Sequence, residues 1–357
     1  MERVKKGNSL IFKITVFATA LAIIFTCTAV SANNLKVDPS ANGNYTSIQA
    51  AIDDANAEDT IFVNPGNYTE NLRIDKQVRI WSDSRKPEDT IIRAADPTKS
   101  TVEISENKVS FSGFSIEGSE KEQISLKGAD YCFINNNWVQ RSEFGVLLNN
   151  SNSNTISDNN ITLNKKGIRL ENSNSNTIED NIIAYNFIYG ISLDGSSKNI
   201  IDNNFFKNKE NVDEKAINAD NIWQSPLITK QNIIKGPYIG GNYWANLDGK
   251  GYSETCVDEN NNGICDISYN ITGGGTDKFP LFPKFPNAVK ALDNKLNSTS
   301  TAYKQALIDE ENKKKATTPV NTTNATKKSS KEETPGPGLE TTVLAALGAA
   351  YFLRRER

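Results

Sequence analysis

The sequence predicts an all-β fold: a right-handed single-stranded parallel β-helix with a short N-terminal capping helix. Three observations predict it. First, four similar units open at Gln123, Gly145, Gly167 and Gly190, spaced by 22, 22 and 23 residues. A fixed period of that size marks a solenoid, in which no unit can bury its apolar face alone. Second, each unit carries an apolar pair, Ile124/Leu126, Val146/Leu148, Ile168/Leu170 and Ile191/Leu193, alternating with Ser125, Leu147, Arg169 and Ser192. That period of two belongs to a strand with one face inward. Third, Asn137, Asn159, Asn181 and Asn204 fall in register after a second inward column at Ile134, Ile156, Ile178 and Ile201. Stacked roughly 4.8 Å apart, such amides can bond along the axis, and asparagine tolerates a left-handed corner. A leucine-rich repeat has a similar period but needs more leucines and a helical arc in each unit, which these Asn/Ser-rich units lack.

Residues 1–32 read as a secretory signal: Arg3, Lys5 and Lys6, an apolar run from Ile14 to Val30, then Val30-Ser31-Ala32 as a small-residue cleavage site. The β-helix domain is expected over 33–286. Its N-terminal cap, 37–83, has a different grammar. Thr46-Ser-Ile-Gln49 fits a capping box, and Ile48, Ala51, Ile52 and Ala55 form one face of a short helix. Such a helix would cover the open end of the solenoid, where strand edges otherwise invite pairing. Strands are expected at Thr60–Asn64 and Gln77–Trp81. Less regular coils follow over Thr90–Glu122 with Phe111, Phe114 and Ile116 as core, and the regular coils span 123–211.

The segment from Tyr45-Thr-Ser-Ile-Gln-Ala-Ala-Ile to Asp59-Thr-Ile-Phe-Val-Asn-Pro-Gly-Asn-Tyr-Thr-Glu-Asn-Leu resembles the opening of pectin-lyase-like β-helix proteins. The Asn-rich units, with Gly240-Gly-Asn-Tyr-Trp244 and Asp277-Lys-Phe-Pro-Leu281, resemble the NosD-type proteins of the CASH repeat group. The likeness covers roughly residues 35–285 and implies a pectin-lyase-like solenoid. It implies little about activity, because one fold hosts many functions.

The terminal region, 236–285, contains Asp258-Glu-Asn-Asn-Asn-Gly-Ile-Cys-Asp266. Oxygen donors at positions one, three, five and nine, with glycine at six, follow the first nine positions of a calcium loop. The expected ligands are Asp258, Asn260, Asn262, the Ile264 carbonyl and Asp266, with calcium as cofactor. Position twelve is Tyr269 rather than a bidentate glutamate, and two ligands are amides, which lowers the charge offered to the ion. Cys256 and Cys265 bracket this loop and are expected to form a disulfide in an oxidising compartment. Cys132, beside Phe133 and Ile134, reads as a buried core thiol.

From 287 to 336 the composition turns to Lys, Glu, Asn, Thr and Ser, a polar stalk that is helical in part up to Lys315 and disordered after it. It carries glycosylation sequons at Asn321 and Asn324; others stand at Asn44, Asn67, Asn149, Asn160, Asn270 and Asn297. Residues 337–357 hold an apolar run, Thr341–Leu353, and a basic end, Arg354-Arg-Glu-Arg357. With the preceding Pro-Gly pairs this resembles the archaeal Pro-Gly-Phe sorting signal, with Pro337 where that signal has phenylalanine. The resemblance implies a membrane partner through a C-terminal anchor.

The whole chain has 357 residues, a net charge of −3, no histidine and one methionine, the initiator. A balance this close to neutral, without a basic face, argues against nucleic acid as partner. Copper centres favour His, Cys or Met, so copper handling is not expected from this composition. What remains is a non-catalytic surface protein with a structural, envelope or carbohydrate-binding role, its partner a polysaccharide or cell-envelope glycan. Trp138, Tyr185, Tyr189, Trp223 and Trp244 are the aromatics weighed for sugar stacking. The alternative is an extracellular polysaccharide lyase, hydrolase or epimerase. Hydrolysis needs paired carboxylates, and Asp158, Asp180, Glu179 and Asp202 are the available set. A lyase would draw on Arg169.

Overall fold

The computed structural model describes residues 32–213, 220–271 and 274–317. The signal segment, Asn321, Asn324 and the expected anchor lie outside them.

The alternating apolar residues wind into a right-handed parallel β-helix whose coils visit three sheets in turn. Sheet 1 has eight strands, from Asn34–Val37 to Ile200–Asp202. Sheet 2 has eight, from Gly66–Thr69 to Tyr243–Asn246, and sheet 3 has seven, from Leu72–Ile74 to Glu210–Val212. All pairing in these sheets is parallel and in register: Ile134 lies on Ile156, Ile178 and Ile201, and Ile124 on Val146, Ile168 and Ile191. Those residues are 0 % exposed and form one continuous core with Phe111, Phe114 and Ile116.

Beside that apolar column run three asparagine ladders. In the ladder read from sequence, Asn137, Asn159 and Asn181 each donate Nδ2 to the Oδ1 of the asparagine one coil on, at 3.0–3.1 Å. Asn204 extends it to Asn242. A second ladder joins Asn154, Asn176, Asn199 and Asn221, and a third joins Asn164, Asn186, Asn208 and Asn211. Each Oδ1 also accepts the backbone N–H of the preceding rung. The amides thereby satisfy corner backbone groups that no strand reaches. Between ladders, the sheet 1 to sheet 2 corner needs a left-handed residue in every coil, and Asn136, Asp158, Asp180 and Asn203 supply it at φ 51–57°.

Helix α1, Ile48–Asp54, covers the first coil by burying Ile48, Ala51 and Ile52. Its cap departs from the expected box. Ser47, not Thr46, is the N-cap and accepts from the Ala50 N–H. The second capping group comes from outside the helix: the Glu70 carboxylate accepts from the Ile48 and Gln49 N–H groups and from Ser47 Oγ. The expected strands are found at Thr60–Val63 and Arg79–Ser82, with two more, Gly66–Thr69 and Leu72–Ile74, in the segment read as their connection.

At the far end, Trp223 and Trp244 are buried, Trp244 stacks on Phe206 at 4.7 Å, and helix α2, Tyr252–Thr255, packs beneath. Asp277 is wholly enclosed there. Its carboxylate accepts from the Asn242 N–H, Trp244 Nε1 and the Phe279 N–H at 2.8–3.0 Å.

The segment expected to open the stalk is helical from its first residue. Helices α3, Pro286–Lys295, and α4, Asn297–Thr317, lie on the outer face of sheet 2. In the last coils that face turns apolar, with Ile182, Phe205 and Tyr243 in one register column. Leu296 and Tyr303 bury against it, Tyr303 stacks on Phe187 at 4.8 Å, and Lys207 pairs with Asp293 at 3.0 Å. No helix among the described residues is long and apolar enough to cross a membrane.

Candidate functional site

The parallel register turns sequence repeats into straight columns on the outer faces, and sheet 1 carries the most varied one. Phe62, Trp81, Ser112, Asn135, Ser157, Glu179 and Asp202 follow one another on successive strands. The column therefore runs from aromatic through neutral polar to acidic, one rung every ~4.8 Å. Arg85 lies over the Trp81 ring at 4.8 Å. Beside the neutral middle, Tyr131 and Phe133 are 56 % and 54 % exposed, and Phe133 is followed in register by Thr155 and Thr177.

At the acidic end the four carboxylates singled out by sequence do come together. Glu179 and Asp202 are neighbouring rungs, and Asp158 and Asp180 occupy the adjoining corner. Asn203 donates Nδ2 to Asp180 Oδ1. Burial, then the Asp202 and Asp180 charges, hold the Glu179 carboxyl above the usual range, while Lys230 pulls it down. Asp202 is raised too, by burial and then Asp180, against a hydrogen bond from Ser225 and the charge of Lys230. Both therefore favour the protonated form more than a solvated carboxylate does.

Arg169 projects from sheet 3 between two carboxylates. It meets Glu171 at 2.6 Å and Asp194 at 3.1 Å, and its guanidinium sits 5.6 Å from the Phe144 ring centre. Of the aromatics weighed for stacking, Tyr185, Tyr189, Trp223 and Trp244 are buried, between 0 and 8 % exposed, and serve as packing. Trp138 is half-buried. The exposed pair Tyr131 and Phe133 was not singled out from sequence, because both flank Cys132 in an apolar run that reads as core.

The terminal loop folds on its own side chains. Asp258 accepts from the Asn262 and Gly263 N–H groups, Asn260 from Asn262, Asn262 from Ile264, and Asp266 from the Glu259 N–H and Asn260 Nδ2. Gly263 takes φ +87°, the sharp turn expected of it. Ile264 bridges to Leu281, which ties the loop to the solenoid end. A disulfide joins Cys256 and Cys265 across 5.7 Å between Cα atoms, and Cys132 is a buried free thiol. Among the described residues no three His, Cys, Asp or Glu side chains are grouped to hold a metal ion.

A family model described as "Periplasmic copper-binding protein (NosD)" matches residues 52–249, more than half of the chain. The chain belongs to the NosD family. The donors present do not fit the copper of that family's description: there is no histidine, the one methionine is Met1, Cys256 and Cys265 are bonded to each other, and Cys132 is buried. A cell surface glycoprotein of Methanothermus fervidus is 39 % identical over 100 residues, 28 % of this NosD-family chain and 16 % of that protein. The match thus spans about a sixth of the relative's length. Among solved structures, pectate lyase Pel9A is similar with TM-score 0.42 and 15 % identity over 50 % of this chain and 55 % of its own. An alginate lyase from Paenibacillus sp. gives TM-score 0.41 and 14 % identity over 50 % and 68 %.

Proposed function

We propose that this NosD-family β-helix is a cell-surface protein that holds a glycan along the outer face of sheet 1 without cleaving it. The observation that carries the reading is the exposed pair Tyr131 and Phe133 beside a regular ladder of Ser, Thr and Asn rungs. Aromatic faces take the apolar side of a sugar, and short polar side chains at a fixed repeat take its hydroxyls. The family's periplasmic description and the cell surface glycoprotein relative support an extracellular or envelope location. The secretory signal expected over 1–32 and the anchor expected over 337–357 from sequence would agree with it.

Cleavage is the second reading, favoured by Glu179 and Asp202 on adjacent rungs. Strand spacing puts them near the separation of a retaining pair. Their environments do not set the two apart: burial is the leading upward cause at both, whereas a glycosidase draws on surroundings that push its two carboxyls in different directions. Screening the full chain against neutral and acidic envelope polysaccharides decides. Binding weakened about tenfold by Phe133→Ala, roughly the loss of one ring contact, with polymer length unchanged, supports holding. Shortened products that vanish in Glu179→Gln would replace it with hydrolysis.

The loop over 258–266 is proposed as a weak calcium site. Two carboxylates, two amides and the Ile264 carbonyl give the ion little charge, and Lys284 Nζ donates to the Asn261 carbonyl at its rim, so affinity belongs in the range of roughly 0.1–1 mM. Terbium luminescence on the full chain should titrate in that range and be lost in Asp258→Ala. No signal at millimolar ion removes the site.

A further inference from the structure

Six sequon asparagines fall within the described residues, and the fold sorts those whose side chains are defined. An acceptor asparagine must offer Nδ2 to solvent with room for a bulky, hydrated glycan. Asn44 and Asn67 are exposed, as are Thr46 and Thr69 two residues on. Asn270 is exposed, and its Oδ1 accepts from Thr276 Oγ1. The two sequons on the flank of the solenoid differ. Asn149 donates Nδ2 to Glu171 Oε2, and its Ser151 is 0 % exposed with Oγ locked between the Asn149 carbonyl and the Ala129 N–H. Asn160 lies between Trp138 and Ile182 in sheet 2, its Oδ1 is buried, and its Thr162 is 4 % exposed.

The three open sequons share a place in the fold. Asn67 is on Gly66–Thr69, the terminal strand of sheet 2. Asn44 folds back on Asn34–Val37, the terminal strand of sheet 1, and accepts the Lys36 N–H with Oδ1. Asn270 is on Tyr269–Ile271, one arm of the hairpin at the opposite end. The ends of a parallel solenoid are where strand edges can pair with another copy. We propose that Asn44, Asn67 and Asn270 carry N-linked glycans, that Asn149 and Asn160 do not, and that these glycans keep the two ends from stacking on other molecules. In the transfer a lipid-phosphate-linked oligosaccharide supplies the sugar. Nδ2 bonds to the anomeric carbon, the carbon–oxygen bond to phosphate breaks, and the displaced amide proton leaves with the phosphate. None of this depends on whether sheet 1 holds a glycan, and the two ideas fail separately.

Glycopeptide mapping of the full chain from the cells that make it should find Asn44, Asn67 and Asn270 occupied and Asn149 and Asn160 bare. Glycan on either flank site, or three bare ends, overturns the assignment. The variant Thr46→Ala/Thr69→Ala/Asn270→Gln keeps the Asn44 bond to Lys36 and loses three glycan masses. Its far-UV spectrum should match the parent while sedimentation shows end-to-end oligomers. A folded variant that stays as monomeric as its parent overturns the shielding role.

Discussion

Asn181→Ala is expected to cost the solenoid about 4 kcal/mol or more, read as a fall in the urea midpoint at unchanged far-UV signal. The side chain is 0 % exposed. Its Oδ1 accepts from the Asn159 N–H and Nδ2, and its Nδ2 donates to Ile156 O, Glu179 O and Asn204 Oδ1. Alanine removes all five and leaves donors and carbonyls enclosed with no water to replace the partner. The effect exceeds that of an ordinary buried bond because both neighbouring rungs lose theirs together. Asn149→Ala, half-buried on the flank with one bond to Glu171 and one from the exposed Asn150, should cost under about 1 kcal/mol. Equal costs for the two would show that the ladder is not what holds the corners.

Asp277→Ala should destabilise the far end by a similar amount, about 3–5 kcal/mol. The Asn242 N–H, Trp244 Nε1 and Phe279 N–H all lose their acceptor in an enclosed site. Asp277 also sets a pH dependence. Burial pushes its carboxyl up to about 7, against the pull of its N–H donors. Between the ordinary carboxylate range and about 7 the folded chain therefore keeps a proton that the unfolded chain has released. Unfolding sheds that proton, so stability falls as pH rises through this window and levels off above it. The expected result is a midpoint that drops from pH 5 to pH 7 in the parent and not in Asp277→Asn. A parent midpoint that climbs over that interval would falsify the raised carboxyl.

Much of this was legible from residues. Ile134 and its equivalents, and the Asn137 ladder, announce themselves because their neighbours repeat as well. The ladder through Asn154, Asn176 and Asn199 is equally visible, closing Ser-Asn-Ser-Asn at 151–154 and 173–176 and Ser-Ser-Lys-Asn at 196–199. The ladder through Asn164, Asn186 and Asn208 is harder to see, since Phe187 breaks the match between Lys165 and Lys209 after the asparagines. Contacts set by the path of a long connection leave no local trace. Glu70 caps a helix 22 residues earlier, and Asp277 receives Trp244 from 33 residues away. The helices over 286–317 read as stalk because so few side chains, chiefly Leu296 and Tyr303, anchor them. The four carboxylates were found as a group, yet the raised carboxyls of Glu179 and Asp202 depend on burial by neighbours that only the folded coils supply.

The ladders also restrict how a chain like this can lengthen or shorten. The coil opening at Gly167 has one residue more than its neighbours, and the surplus falls between Asn186 and Tyr189, just past a rung, where Phe187 swings out to meet Tyr303. A single residue gained within a strand would instead turn the rest of that strand to the wrong face. Size in such a molecule is thus granular. Copying 145–166 whole should insert one more storey without disturbing the rest, whereas trimming one amino acid from inside the strand Phe144–Asn149 should break that strand's match to its neighbours.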